Sequence, residues 1–440
     1  MATETVLPAA ATQMPSTMSP PPFSASPRAY SLLRLLVLSL LLLQRLTVPG
    51  SGKIPLLLLV TLVLLAFGVA SGVLRVDPIR GRMYALAVGL LTLLAFVALC
   101  RGRTVSLNSL FFVPALYLIG IFTVHALDQQ TRDRVLRLFG NIMCFFAGVS
   151  LAQLGIQYAG VKYQDYLALF VPKSLLISGY NTGNPITYGS PIYRSNGVLF
   201  LEPSFVSLFL GLALVISIYQ GRRSLVLILL AAGIVPTLAG NGLVVSIPGI
   251  VAIAGTDRAR YLGRLVAPLL VALAVAVVTP LGSLFASRSS EFHGNNTSSS
   301  LRLILPYDLL VPAIRADTST LLLGRGPGEA DRLIAATKID GLLTPTTAKL
   351  GLEYGLVGGI VFLLFLLYVF LNGSTRLPWM PGLLLAYFIL NAALLQTVLA
   401  LAPLVFLSLL KVNERPDGSG QAEPAAVAPG DHSSSLARSS

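Results

Sequence analysis

Leu350–Leu371, LGLEYGLVGGIVFLLFLLYVFL, decides the fold class. Glu353 is its one charged residue. The run is long enough for a helix crossing a bilayer, which needs about 20 apolar residues. Comparable runs lie at Ser31–Val48, Ile54–Leu74, Met83–Cys100, Leu107–Leu127, Leu138–Tyr158, Val198–Tyr219 and Leu265–Phe285. Over all 440 residues, 55% are hydrophobic and 11% charged. An ordinary soluble domain carries roughly a quarter charged residues, so that class is excluded. Two longer stretches, Ser224–Ala254 and Pro381–Leu410, exceed one upright helix and fall short of two. The first is broken by Pro236 and Gly240-Asn241-Gly242, the second between Asn391 and Gln396. Paired short helices covered by neighbours satisfy their backbones best. The expectation is an all-α polytopic membrane protein with about twelve spans, ten being the fallback.

The ends differ in kind. Residues 1–27 and 413–440 are rich in Ala, Ser and Pro and read as disordered tails flanking a helical membrane domain, 28–412. A signal peptide competes for the first apolar run. A retained helix is preferred, because a long tail precedes Arg28 and no clear A-x-A site follows. Cys100 and Cys144 sit in apolar runs, so no disulfide framework is implied. His125, His293 and His432 are too dispersed for a zinc site, and no metal is expected.

Thirty-one Lys and Arg against eighteen Asp and Glu leave a net charge of +13. Nucleic-acid binding would need a solvated basic face, which so sparse a charge does not provide. The basic residues instead sort by loop. One alternating set holds Arg75, Arg80, Arg82, Arg132, Arg134, Arg137, Arg222, Arg223, Arg258, Arg260, Arg264, Arg376, Lys411 and Arg415. Among the short loops of the other set, only Arg45, Lys53, Arg101 and Arg103 are basic. The first set is therefore read as cytoplasmic, with both termini inside. Two long loops, about 159–197 and 286–349, then lie outside, where function is sought.

The first long loop runs into Tyr193-Arg194-Ser-Asn-Gly-Val-Leu-Phe-Leu-Glu202-Pro-Ser. Glu202 already lies in apolar sequence, where a carboxylate needs a partner or a wet cavity. A snorkelling Arg194 and a Glu202 satisfied by neighbouring helices are the plain alternatives. The second loop holds Arg288, Glu291, His293, Arg302, Asp308, Arg315 and Asp317, then Gly324-Arg325-Gly326-Pro327-Gly328. That glycine run lacks the Lys-Ser/Thr of a P-loop. Its physical content is a tight turn able to offer N–H groups to an anion. Solvated arginines, head-group contact and a plain loop histidine are the competing interpretations. Asn295 and Asn296 open glycosylation-like sequons without other support. Several arginines at a membrane-lined cavity suit phosphate, since guanidinium matches its oxygens in pairs.

Three stretches, in this order, carry a resemblance: Arg194 to Ser204; Arg302 followed by Gly324-Arg-Gly326-Pro-Gly328; and Leu352-Glu353-Tyr-Gly355-Leu-Val-Gly358. Together with the many-span layout, they resemble the superfamily of O-antigen polymerases (Wzy-like) and O-antigen ligases of bacterial inner membranes, over about residues 30–410. The ligase branch usually has a His shortly before the Glu-x-Gly. Here Thr344 stands in its place, which favours polymerase. The Ser-Arg often found between the paired short helices is also replaced, by Gly240-Asn241-Gly242.

The resemblance implies a metal- and cofactor-free GT-C-type glycosyltransferase. It would transfer glycan from an undecaprenyl-diphosphate-linked oligosaccharide to a second lipid-linked unit, beside a chain-length co-polymerase and a flippase. Arg194 and Arg302 are the expected diphosphate clamp, with Arg288 and Arg325 second. Glu202 is the expected proton acceptor and His293 its alternative. Tyr193, Gly324, Gly326 and Gly328 are expected to line the substrate. Glu353 is expected to pack or to cap the helix start. A ligase and a lipid-linked-sugar flippase or transporter stay as alternatives; a flippase would more often show pseudo-symmetric halves.

Overall fold

The computed structural model describes residues 27–49, 54–187, 189–268, 270, 300–339, 342–372, 377–390 and 394–412, apart from the side chains of 302, 303 and 390. Both expected tails, most of the expected span Leu265–Phe285, and Arg288, His293, Asn295 and Asn296 lie outside the described residues.

The protein is a mostly helical membrane protein; 71% of the described residues are helix and 4% strand. Helices α1 (Pro27–Leu42) and α2 (Leu56–Ala70) lead to a short strand, β1 (Leu74–Val76). Then come α3 (Pro78–Cys100), α4 (Leu107–Tyr117), β2 (Phe122–Val124) and α5 (Gln129–Tyr158). After a long connection follow α6 (Pro203–Tyr219), α7 (Ser224–Ile234) and α8 (Asn241–Ala254). The later elements are α9 (Leu305–Arg315), α10 (Glu329–Thr337), α11 (Thr346–Leu371), α12 (Met380–Leu385) and α13 (Thr397–Pro403). Three of these, α3, α5 and α11, are each long and apolar enough to cross a membrane. Shorter apolar helices, α6 among them, pack with them.

Side-chain caps set several helix starts. Asp77 accepts from the N–H groups of Ile79 and Arg80 with Pro78 in the first turn, and Asp128 accepts from Thr131 N–H. Burial then ranks the helices. Nearly every residue of α6 is buried, as befits a helix apolar on all sides. By contrast, 28% of the apolar window of α3 is buried. Phe67, Phe96 and Phe111 are more than 60% exposed, an outward apolar surface suited to lipid.

Hydrogen bonds gather the connections into two groups. At one end, β1 pairs antiparallel with β2, and the Arg80 guanidinium donates to Ser408 Oγ at 2.7 Å and Phe122 O at 3.2 Å. Gln220 donates to Asp133 O, Arg222 to Asn141 Oδ1, and Arg264 to Arg222 O. These are the arginine-rich connections. At the other end, Leu46 bridges Leu176, Ser195 N–H donates to Pro236 O, and Ser106 N–H donates to Pro327 O.

Several expected runs are shorter as helices. The first stops at Leu42, because Arg45 turns away to a distant carboxylate. The run to Leu127 leaves α-helix after Tyr117 and becomes strand β2. Val198–Leu201 is not helical, for reasons given below. The expected break in Ser224–Ala254 is present, with a turn at Val235–Gly240 separating α7 from α8.

Candidate functional site

The connection from residue 159 to Glu202 folds onto the end of the helices, and α5 supplies its clamp. Gln153 and Gln157 lie one turn apart on one face of α5, both buried. Gln153 Oε1 accepts from Ser195 Oγ at 2.6 Å and from Gly197 N–H at 3.1 Å. Its Nε2 donates to Asn196 Oδ1 at 3.1 Å, which also accepts from Val198 N–H at 3.0 Å. Gln157 grips Tyr193 through both main-chain groups, accepting at 2.7 Å and donating at 3.0 Å. The clamp holds a strained turn: Val198, a β-branched residue, sits at φ +66°. Chain direction therefore changes just before Glu202, at the N-terminus of α6.

A second tie comes from the first connection. Arg45 binds Asp165 with both terminal nitrogens, Nη1 to Oδ1 at 2.7 Å and Nη2 to Oδ2, and Nη1 also donates to Val198 O at 3.0 Å. Burial alone would raise the Asp165 pKa; the Arg45 bonds and charge outweigh it and hold the carboxyl below its ordinary value. Tyr163 stacks on Tyr193 with centroids 4.9 Å apart. Burial first, and the Asp165 charge after it, push the Tyr163 hydroxyl up to about 12.

Beneath this connection is a cavity of about 290 Å³. Phe112 of α4 and three further segments distant in sequence build it. The first connection gives Gln44 and Pro55, the long connection gives Ser178, Tyr180 and Leu201, and the stretch into α13 gives Gln396 and Thr397. Gln396 Oε1 caps α13, and its Nε2 donates to Tyr180 Oη at 2.8 Å. Burial raises the Tyr180 pKa, and the nearby Glu202 carboxylate adds to the rise. Gln44 is 1% exposed and Thr397 3%. Neither the Gln44 amide oxygen and nitrogen nor the Thr397 hydroxyl has a partner among the described residues.

Among the expected site residues, Arg194 is half-buried; its Nε donates to Pro185 O at 3.1 Å and its main-chain N–H to Asn184 O. Its two terminal nitrogens make no hydrogen bond to the described residues, as either a phosphate clamp or a snorkelling arginine would allow. Glu202 accepts from Ser204 Oγ at 3.3 Å. Arg302 lies in a short helical turn, Ser300–Leu303, and its side chain is outside the described part. Arg288 and His293 are not described.

Gly324, Gly326 and Gly328 all have positive φ, and they form the tight turn that the spacing indicates. Its N–H groups are used differently from an anion cradle. Arg325 N–H donates to Leu352 O at 2.8 Å and Gly326 N–H to Glu353 O at 2.9 Å. The turn thus docks against α11 where Gly355, at φ +64°, interrupts the helix. A Cβ on Gly324 would collide with Glu353 O, and one on Gly355 with the Leu322 carbonyl. Glu353 lies about two turns inside α11, not at its start, and is 1% exposed. It pairs with Lys349 at 3.0 Å, which also reaches Asp331 of α10 at 2.6 Å.

Sequence reasoning missed Arg45, Asp165, Gln153, Gln157, Gln44 and Thr397. The signal available was a pair of glutamines four apart inside an otherwise apolar run. Among the described residues no three His, Cys, Asp or Glu side chains converge to hold a metal ion. Comparison with known proteins found no matching family model, no matching curated protein and no matching solved structure.

Proposed function

We propose that this chain polymerises lipid-linked oligosaccharide repeat units for a bacterial surface or secreted polysaccharide, at the periplasmic face of the inner membrane. The arginine-rich end then faces the cytoplasm, with both termini, and the described helices belong to about twelve spans. The substrate is an undecaprenyl-diphosphate-linked oligosaccharide. A chain-length co-polymerase and a flippase work beside the enzyme.

One observation carries the proposal. A long polar connection is clamped onto the ends of apolar helices, over a cavity lined by Tyr180 and Leu201, with Glu202 next in sequence and the terminal nitrogens of Arg194 making no hydrogen bond to the described residues. Lipid-linked diphosphate is a substrate that brings phosphate to this depth, and guanidinium stays charged there.

In the proposed step, an acceptor hydroxyl oxygen forms a bond to the donor anomeric carbon. The bond from that carbon to the diphosphate oxygen breaks, and lipid diphosphate leaves with the electron pair. Arg194 and Arg302 stabilise the charge that develops. Glu202 takes the hydroxyl proton. Arg288 and Arg325 assist the clamp, and His293 is the alternative acceptor of the proton. No metal or cofactor takes part in this scheme.

A deletion strain complemented with variants tests it. Arg194→Ala or Arg302→Ala should stay in the membrane and lower polymer at least tenfold, leaving single repeat units on the outer face. Accumulated lipid-linked long polymer would point to a ligase, and units trapped inside to a flippase. Normal polymer in the deletion strain itself would overturn the proposal.

A further inference from the structure

Two connections at the arginine-rich end come together around one aromatic ring. The turn between α6 and α7 holds Arg222 and Arg223, and the 3₁₀ segment Asp257–Leu265 after α8 holds Arg258, Arg260 and Arg264. Tyr261 seats the second on the first. A Cβ on Gly221 would meet its ring at 2.8 Å, so the ring lies closer to the turn than another residue there would allow. Arg264 Nη1 donates to Gly221 O and Arg222 O, and Arg222 Nη2 donates to Asn141 Oδ1 of α5 at 2.6 Å. Three guanidiniums surround the ring, with Arg258, Arg260 and Arg264 at 5.9, 5.0 and 4.9 Å from its centroid. Arg258 also lies 5.2 Å from the Tyr219 ring. Such stacking orients a guanidinium by its face and leaves N–H groups at its edge for another partner. The Arg260 hydrogen bond and charge hold the Tyr261 hydroxyl below its ordinary value, which marks the positive field here.

Against these five arginines the two connections carry one acid, Asp257. None of the five makes an ion pair with a described residue. Arg223 and Arg260 are exposed, and the Arg223 side chain makes no hydrogen bond to the described residues. Outward apolar surface begins beside them: Leu225, two residues after Arg223, is 75% exposed, and Val266, two after Arg264, is 57%. We infer that the α6–α7 turn and Asp257–Leu265 form a binding site for an anionic glycerophospholipid, its phosphate held by Arg223, Arg258 and Arg260 and its acyl chains lying on the apolar surface beside them. Guanidinium edges match phosphate oxygens in pairs. The arginines stand at the ends of apolar helices, where lipid surrounds the chain, so lipid phosphate is the anion most concentrated around them. A zwitterionic lipid carries an amine beside its phosphate, which this cluster repels. The site holds whether or not the chain polymerises glycan.

The test uses the full chain, purified in detergent and stripped of lipid. It is titrated with phosphatidylglycerol and with phosphatidylcholine of the same acyl chains, and bound lipid is counted by native mass spectrometry. Phosphatidylglycerol should bind at least tenfold more tightly. One arginine beside an anionic surface is worth about fivefold in affinity. Arg258→Gln with Arg260→Gln should therefore weaken phosphatidylglycerol at least fivefold, with thermal unfolding in phosphatidylcholine unchanged. Arg101→Gln with Arg103→Gln removes the same charge from an exposed connection elsewhere and should change binding less than twofold. Arg223→Gln, on the exposed turn, should weaken binding at least threefold and decides the matter if the double variant does not fold. Equal binding of the two lipids, equal loss from both arginine pairs, or binding unchanged in every variant overturns the site. Millimolar inorganic phosphate or glycerol 3-phosphate should leave the lipid bound; displacement by either would make the ligand a free phosphate and overturn the lipid.

Discussion

Replacing Asp165 by Asn isolates the tie between the first connection and the long one. Arg45 is 6% exposed at its side chain, and Asp165 26%. The substitution takes the counter-charge and one acceptor oxygen from a nearly dry guanidinium, leaving it one neutral amide oxygen and the Val198 carbonyl. Breaking a fully buried pair costs about 3–5 kcal/mol; water reaching the Asp165 side reduces this to about 2–3 kcal/mol. The double variant Arg45→Met with Asp165→Leu removes both charges and should recover at least about 1 kcal/mol. Thermal unfolding in nanodiscs and protease cutting within residues 159–197 measure both. An Asp165→Asn protein within about 0.5 kcal/mol of the parent, or strictly additive single and double variants, would refute a stabilising pair. The pH dependence follows the same physics. The folded carboxyl titrates below its ordinary value, so the unfolded chain binds the proton more readily. The contribution is complete above the ordinary carboxylate range and is lost as pH falls below about 4.

Other perturbations probe the remaining ties. Gln153→Leu strands Ser195 Oγ, Gly197 N–H and Asn196, and should cost about 2–4 kcal/mol, read as faster proteolysis of the connection and lost polymer in membrane-inserted protein. Lys349→Met leaves Glu353 buried without its cation; a loss of about 3–5 kcal/mol is expected by thermal unfolding, largely recovered by adding Glu353→Leu. Gly355→Ala forces a side chain into the Leu322 carbonyl at positive φ, and should cost about 1–3 kcal/mol and loosen the Gly324–Gly328 turn to hydrogen exchange.

The helical class was legible because apolar runs and their breaks report burial directly, while three of the described helices, against about twelve expected spans, are long and apolar enough to cross a membrane. Pro236 and Gly240-Asn241-Gly242 marked the turn between α7 and α8, and the described connections bearing Arg222 and Arg264, alternate in sequence, are hydrogen-bonded to one another. Helix ends near the site were not legible. Val198–Leu201 is as apolar as the helix after it, yet Gln153 and Arg45 hold its backbone in another conformation. Such ties join residues 44 and 153 positions apart, beyond any local pattern. The glycine turn showed the reverse. Its shape followed from spacing, but the partners of its N–H groups, carbonyls of α11, did not.

The Tyr180–Gln396 hydrogen bond spans 216 positions, and it closes the cavity from the last described helical hairpin. During synthesis, helices enter the membrane in chain order, N-terminal first. A nascent chain ending before Thr397 would already carry Arg194, Glu202 and the glutamine clamp, but with one wall of the cavity missing. Completion of the pocket is therefore a late event in biogenesis. A ribosome-stalled or truncated product would sit in the membrane with that wall of the cavity open.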